Sequence, residues 1–333
     1  MKNLLSLLFL CFSLSASPCF AAPEELAQRK EISAEAMNAF LAEDFAKLEQ
    51  LSTVFRQDKS RTSSGLWKLT LFYAGIAASE KSSKERNEAF WSKLEAKAQA
   101  WIAAYPQSPS ARIAYSMFLI GHGWHFRGGN YASAVPPEAW EPFYRYIGLA
   151  RDNLERNKAT ASVDPRWYET MMTVARAQNW DRKRFDALLN EALDKEPYFY
   201  QTYFLALEYL LPKWHGGIKD IEQFANQAVA RTVRTEGQGM YARIYWFASQ
   251  TQFENELFDR SLIDWSKMKA GFEDVVARYP DAWNINNYAR FACLAKDKTT
   301  TRELFVRIKE NPVREAWSPI VLFSHCQQWA LES

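Results

Sequence analysis

The chain has 333 residues, is 48% hydrophobic and 24% charged, and carries a formal net charge of +2. Enough apolar mass is present for a sizeable core, which excludes an intrinsically disordered chain. So small a charge excess excludes a dedicated nucleic-acid binder, which carries a clear basic surplus, and gives no electrostatic drive toward anionic membranes.

Residues 1–21 read as a secretory signal. Lys2 opens a nearly continuous apolar run from Leu4 to Leu14, and Cys19-Phe20-Ala21 places a small residue directly before the expected cut, after Ala21. The run is too short for a stable span of about 20 residues, although an uncleaved anchor is the alternative. No later stretch is long and apolar enough to span. The mature chain is therefore expected to be periplasmic or secreted, with residues 22–333 forming one helical-repeat domain: N-terminal helices over 22–100 and the remainder over 101–333.

Apolar periodicity predicts an all-α protein. Leu41, Phe45, Leu48, Leu51 and Phe55 fall on one helical stripe, as do Ile221, Phe224, Ala225, Ala228 and Val229, and again Trp265, Met268, Phe272, Val275, Val276 and Tyr279. Sustained alternation, the signature of half-buried strands, is missing. Ser33 reads as the cap of the first mature helix, Asp164-Pro165 as a cap with proline at the first helical position, and Thr300-x-x-Glu303 as a capping box. Loops are expected at 60–64, 79–86, 121–137, 157–164, 212–219 and 235–239.

Amphipathic runs are separated by proline turns: Tyr105-Pro106-Gln107-Ser108-Pro109, Asp164-Pro165-Arg166-Trp167, Lys195-Glu196-Pro197-Tyr198, Arg278-Tyr279-Pro280-Asp281 and a degenerate Glu310-Asn311-Pro312. Pro165 and Pro197 are 32 residues apart, as are Pro280 and Pro312, whereas Pro106 and Pro165 are 59 apart. The shorter spacing fits a helical hairpin, and the longer one implies an insertion between about Gly121 and Pro142. Repeated hairpins bury their apolar faces by stacking on neighbours. The expected architecture is thus stacked antiparallel hairpins, an α-solenoid or curved bundle of tetratricopeptide-like form.

Two segments depart from simple stacking: Gly121-His122-Gly123-Trp124-His125-Phe126-Arg127-Gly128-Gly129-Asn130-Tyr131, and Leu211-Pro212-Lys213-Trp214-His215-Gly216-Gly217. Each combines a helix end, an aromatic, a histidine and a glycine pair free to take positive φ. Here the chain resembles the bacterial family catalogued as domain of unknown function 4034. Gly123-Trp-x-x-Arg127-Gly128 and Leu211-Pro-Lys-Trp214-x-Gly216 carry the resemblance. So do Asn286 through Ala289, Ala292 and Cys293 to Asp297, and the final Cys326-x-x-Trp329-Ala330. It spans roughly residue 101 to the C-terminus, and it implies an all-helical, repeat-like domain with no assigned activity.

Trp124, His125, Arg127, Tyr131, Trp214 and His215 are the candidate binding residues, expected to form one shared surface. Arg127 has a structural reading as well, tying loop carbonyls with its five donors. His122 and His125 lie three apart on a helical pattern, but no third ligand is identifiable, so neither a metal nor another cofactor is expected. No hydrolase elbow, zinc-protease or phosphate-loop motif occurs, and Ser266-x-x-Lys269 reads as a chance pair on a charged helix face. Of the four cysteines, Cys11 and Cys19 leave with the signal; Cys293 and Cys326 read as a disulfide in an oxidising compartment, the alternative being two separate buried thiols. The functional expectation is a non-enzymatic binding or scaffolding role toward a protein or peptide. The alternative is a hydrolase-like envelope enzyme using His125 or His215 as general acid/base.

Overall fold

The computed structural model describes residues 24–309, 312–317 and 321–332. The expected signal, and Glu310 and Asn311 of the last proline turn, lie outside the described residues. Within them the fold is all-α, with no strand and one isolated bridge between Arg61 and Trp67.

The helices run as successive antiparallel hairpins: α1 (Glu25–Leu41), α2 (Phe45–Asp58) and α3 (Lys68–Ala78); α4 (Glu88–Ala104) and α5 (Pro109–Arg127); α6 (Trp140–Arg156), the short α7 (Lys158–Ala161) and α8 (Arg166–Ala177); α9 (Arg182–Lys195) and α10 (Tyr200–Leu210); α11 (Ile218–Glu236) and α12 (Gly239–Ala248). A π-helical turn at Ser249–Phe253 and α13 (Leu257–Arg260) lead to α14 (Trp265–Arg278), α15 (Ala282–Leu294), α16 (Lys298–Ile308) and α17 (Val321–Leu331). Side-chain caps set many of these starts. Ser108 accepts from the backbone N–H of Ala111, with Pro109 at the first helical position, and Asp181, Asp264 and Asp281 likewise accept from the first turns of α9, α14 and α15.

Two layers result. α3, α5, α8, α10 and α12 each touch the next, forming an inner row, while α2, α4, α6, α9 and α11 cover it from outside. Burial follows the sequence pattern. α12 is apolar apart from Arg243, and all of Gly239–Trp246 is buried, whereas α6 buries one stripe, Phe143, Tyr146, Ile147, Ala150 and Leu154, with Asn153 beside it.

The inner face is partly filled by the chain itself. Residues 60–67 reach across from α2, and the Ser64 carbonyl accepts from Arg243 Nη2 and Asn284 Nδ2, both at 3.2 Å, on α12 and α15. Glu25, buried at the start of α1, fastens the same segment: its carboxylate accepts from Arg29, Thr62, Ser63 and both the hydroxyl and backbone N–H of Ser64. Burial opposes its ionisation, yet Arg29 and these donors hold the carboxyl below its ordinary range. Asp164 plays a similar part, accepting from Arg56 Nη1 (3.0 Å), Tyr73 OH (2.8 Å) and the Arg166 backbone N–H (2.9 Å) with no exposure of its own.

Several expectations are corrected. Ser33 does not cap a helix: α1 begins at Glu25, and the Ser33 hydroxyl donates to the Leu71 carbonyl from mid-helix. The stripe from Leu41 to Phe55 is broken, because α1 ends at Leu41, Glu43 takes φ 60° and Asp44 caps α2 by accepting from Lys47. Thr300 does not cap α16; Asp297 does, accepting from the Thr300 N–H. α8 begins at Arg166, so Pro165 stands in the cap position one residue before the place expected of it, while the Asp164 carboxylate takes the Arg166 N–H. The 157–164 loop contains α7, and the 121–137 loop begins only after Arg127, since α5 continues through both of its glycines. Ser266 lies in the first turn of α14, and Lys269 Nζ donates to Asp297 and Thr300.

Cys293 on α15 and Cys326 on α17 stand at disulfide-bonding distance, with Cα atoms 5.8 Å apart. The neighbouring motif residues are structural. Asn286 Oδ1 accepts from Trp317 Nε1 (2.8 Å) and the Val313 N–H (3.2 Å), tying α15 to the strap before α17. Asp297 is held at about 2 because, against the opposing effect of burial, donors from Thr300, Trp265 and Lys269 stabilise its charge.

Candidate functional site

The two unusual segments meet. The last turns of α5 and the turn after α10 contribute Trp124, His125 and Gly128 from one side and Lys213 and Trp214 from the other to a single cleft of about 730 Å³. Its wall also includes Glu80 and Arg86 from the α3–α4 connection, Arg166, Thr170, Thr173 and Arg176 from α8, and Glu208 from α10.

Close approach of backbones shapes this cleft. A Cβ on Gly121 would lie 2.4 Å from Glu80 Oε1, so the glycine lets the Glu80 carboxyl rest against α5. A Cβ on Gly216 would lie 2.2 Å from the Leu210 carbonyl oxygen; this glycine lets the Leu-Pro-Lys-Trp turn fold back over the end of α10. Of the glycine pairs expected to use positive φ, only Gly128 does so, at 71°.

The six candidates separate into two groups. Trp124 and Trp214 are half-buried on the cleft wall, and His125 is exposed at its edge. Arg127 is not on the surface. Its guanidinium lies 4.8 Å from the Trp124 ring centre and 5.4 Å from that of Trp140, and its Nη1 donates to the carbonyls of Gly128 and Asn130, both at 3.0 Å. This is the loop-tying role. Tyr131, 82% exposed, does not line the cleft, and neither does His215, which stacks on Tyr209 with ring centres 4.4 Å apart.

His122 and His125 do not share a site. His122 is fully buried between α4 and α6, its Nδ1 2.7 Å from Glu95 Oε1 and its Nε2 3.0 Å from Glu88 Oε2, with the Tyr146 ring stacked at 3.9 Å. His125 looks outward, and its pKa is lowered by partial burial and by the neighbouring His122 and Arg86. Burial lowers His215 as well. Neither His125 nor His215 is hydrogen-bonded to a carboxylate among the described residues. No group of three or more His, Cys, Asp or Glu among them is arranged to hold a metal ion.

The charged wall was not foreseen from sequence. Burial pushes the Glu80 carboxyl up to about 7 despite Arg86 and Lys81 nearby. Behind the wall, Glu169 on α8 is also pushed to about 7 by burial, although its Oε2 accepts from Arg166 Nη1 at 2.5 Å. Arg176 pairs with Glu208, stacks 5.2 Å from the Trp214 ring centre and is lowered to about 10 by burial. Burial and the Arg176 charge both lower Lys213, whose Nζ donates to the Thr251 carbonyl at 3.3 Å. Lys213 stood in the quoted Leu-Pro-Lys-Trp run and could have been singled out there. Glu80, Arg86 and the α8 residues carry no local signal.

Chemically, the cleft offers tryptophan surface, a carboxyl poised near neutrality and a surplus of cationic groups. Among the described residues, no helix is long and apolar enough to cross a membrane. Compared with family models, curated proteins and solved structures, the chain matches none.

Proposed function

We propose that the protein is a binding protein acting outside the cytoplasm, with its ligand held in the cleft between the end of α5, α8 and the turn after α10. The observation that carries this reading is the convergence of Trp124 and Trp214 on one cleft, from segments whose composition hairpin stacking does not require. A cleft of about 730 Å³ lies in the range that encloses a small molecule or a few side chains of a peptide. Residues 60–67 fill part of the inner face beside α12 and α15, where a smaller cavity of about 210 Å³ remains, and the larger cleft lies along the α5–α10 stretch. The paired Cys293 and Cys326 support an oxidising compartment, in line with the expected signal. Membership of the domain of unknown function 4034 family is proposed on the motif residues alone.

The test is ligand-dependent thermal stabilisation of the purified mature protein against a small-molecule and short-peptide panel. A ligand should raise the midpoint of the wild type and not that of Trp214→Ala, with both proteins folded. A panel that shifts neither protein, or both alike, would end the reading. The second reading is acid/base catalysis in the same cleft. Glu80, with its carboxyl near 7, favours it and sits beside His125 on the wall. It requires turnover of a chromogenic ester, amide or glycoside that Glu80→Gln abolishes.

A further inference from the structure

The cleft is not electrically uniform. At the α8–α10 end, Arg176 and Lys213 line the same cleft, close enough for the arginine to depress the lysine; Arg176 is largely buried and Lys213 is exposed on its turn. One carboxylate, Glu208, serves the pair and is engaged by Arg176. Among the described residues, Lys213 has the Thr251 carbonyl oxygen as its one hydrogen-bond acceptor. Two cations against one carboxylate leave a surplus positive charge at this end of the cleft. Such an arrangement is unfavourable alone and is relieved by an incoming anion. Beside it stands the Trp214 ring, whose geometry is fixed by the Arg176 guanidinium at 5.2 Å. Further along the same α8 stripe, Arg166 has the buried Glu169 as its carboxyl partner. At the far end Arg86 has no carboxylate partner among the described residues, so the wall as a whole does not cancel the surplus.

Resting on the binding reading above, we infer that this end of the cleft takes a small organic anion. Its carboxylate or phosphate pairs with Lys213 and Arg176, and its flat apolar portion lies against the tryptophan surface. The geometry favours an anion attached to a ring over a bare inorganic one, because charged donors and aromatic surface are adjacent on the same wall. Guanidinium and ammonium together suit both carboxylate and phosphate oxygens.

The experiment is calorimetric titration of the mature protein with charged and neutral partners of the same shape. The probes are indole-3-acetate against indole-3-acetamide, and glucuronate and glucose 6-phosphate against glucose. At least one anion should bind, with its neutral counterpart weaker by about tenfold or more. Which anion binds separates the carboxylate source from the phosphate source. Lys213→Met should weaken that anion by about tenfold and leave the thermal midpoint unchanged, since Lys213 lies on an exposed turn; Lys213→Arg should retain binding. Raised salt should weaken binding in the wild type more than in Lys213→Met. If neutral and charged partners bind alike in a Trp214-dependent manner, or if Lys213→Met binds the anion as the wild type does, the anion inference is wrong and the binding reading stands. If no probe binds the folded protein at millimolar concentration, the anion inference falls; if the broader panel is also silent, so does the reading beneath it.

Discussion

Glu169 makes the stability of this protein depend on pH in a direction opposite to acid denaturation. The carboxylate is 1% exposed, one of its oxygens accepts from Arg166, and the other has no hydrogen-bond partner. Burial pushes it up to about 7 from an ordinary value of 4.5; Arg166 works against the rise and Asp164 adds to it. The folded state therefore keeps the proton over a range in which the unfolded chain has lost it. Its stabilising contribution is complete below about pH 4.5 and is lost as pH rises to about 7 and above. The interval from 4.5 to about 7 corresponds to about 3 kcal/mol, at about 1.4 kcal/mol per pH unit. Glu169→Gln replaces the carboxyl with a neutral group of the same shape that still accepts from Arg166. Urea unfolding at pH 5 and pH 8 should show the wild type losing about 3 kcal/mol more than the variant between the two. Glu80 is likewise raised to about 7 and adds a parallel slope to both proteins, which cancels in the difference. An identical pH slope in wild type and Glu169→Gln would refute the assignment of a buried, proton-holding carboxyl at this position.

Asp164→Ala removes the carboxylate shared by the Arg56 guanidinium and the buried Tyr73 hydroxyl, leaving the Ser110 hydroxyl as their shared partner, and should cost about 3–5 kcal/mol in chemical unfolding; a loss under about 1 kcal/mol would show the node to be dispensable. Denatured, unreduced protein recovered from its native compartment should show no free thiol, and Cys293→Ser with Cys326→Ser should lower stability by about 3–4 kcal/mol through the 33-residue separation; two titratable thiols in the wild type would contradict this. Arg127→Ala should lower the thermal midpoint clearly, because its guanidinium holds the Gly128 and Asn130 carbonyls and packs on Trp124 and Trp140. Tyr131→Ala, with an exposed ring, should leave the midpoint within the error of the scan.

Local chemistry was legible in the sequence and tertiary chemistry was not. Proline turns and capping aspartates mark boundaries because their effect is confined to the turn they occupy; Ser108-Pro109 and Asp281 behave as their residue types dictate. Gly121 and Gly123 misled because glycine weakens a helix in isolation. Here α5 keeps both, one making room for the Glu80 carboxyl and the other, with its Cβ position 3.2 Å from the Phe143 carbonyl oxygen, allowing α6 to pack closely. The break between Leu41 and Phe45 was hidden by an apolar stripe that runs through it, while the deciding residue, Asp44, spoke only through a cap. Of the site, the tryptophans stood out by composition. Glu80 and Glu169 could not, because a carboxyl raised by burial is written in what surrounds it.

α8 shows why the cleft wall is more than a by-product of stacking. On a helix otherwise committed to the core, Arg166, Thr170, Thr173 and Arg176 fall three or four residues apart and line one stripe of the cleft. Apolar residues at those positions would pack the inner row without ion pairs, and replacing buried ion pairs by apolar groups is often neutral or stabilising. Retaining two arginines at 21% and 16% exposure, each with a carboxylate partner brought in beside it, costs desolvation that hairpin stacking does not require. Local departures from the packing rule that leave a polar stripe facing an open cleft are the places where a fold carries function at the expense of stability. By that measure the α8 stripe, together with Lys213 and Trp214 opposite it, is the part of the molecule whose chemistry stability alone does not explain.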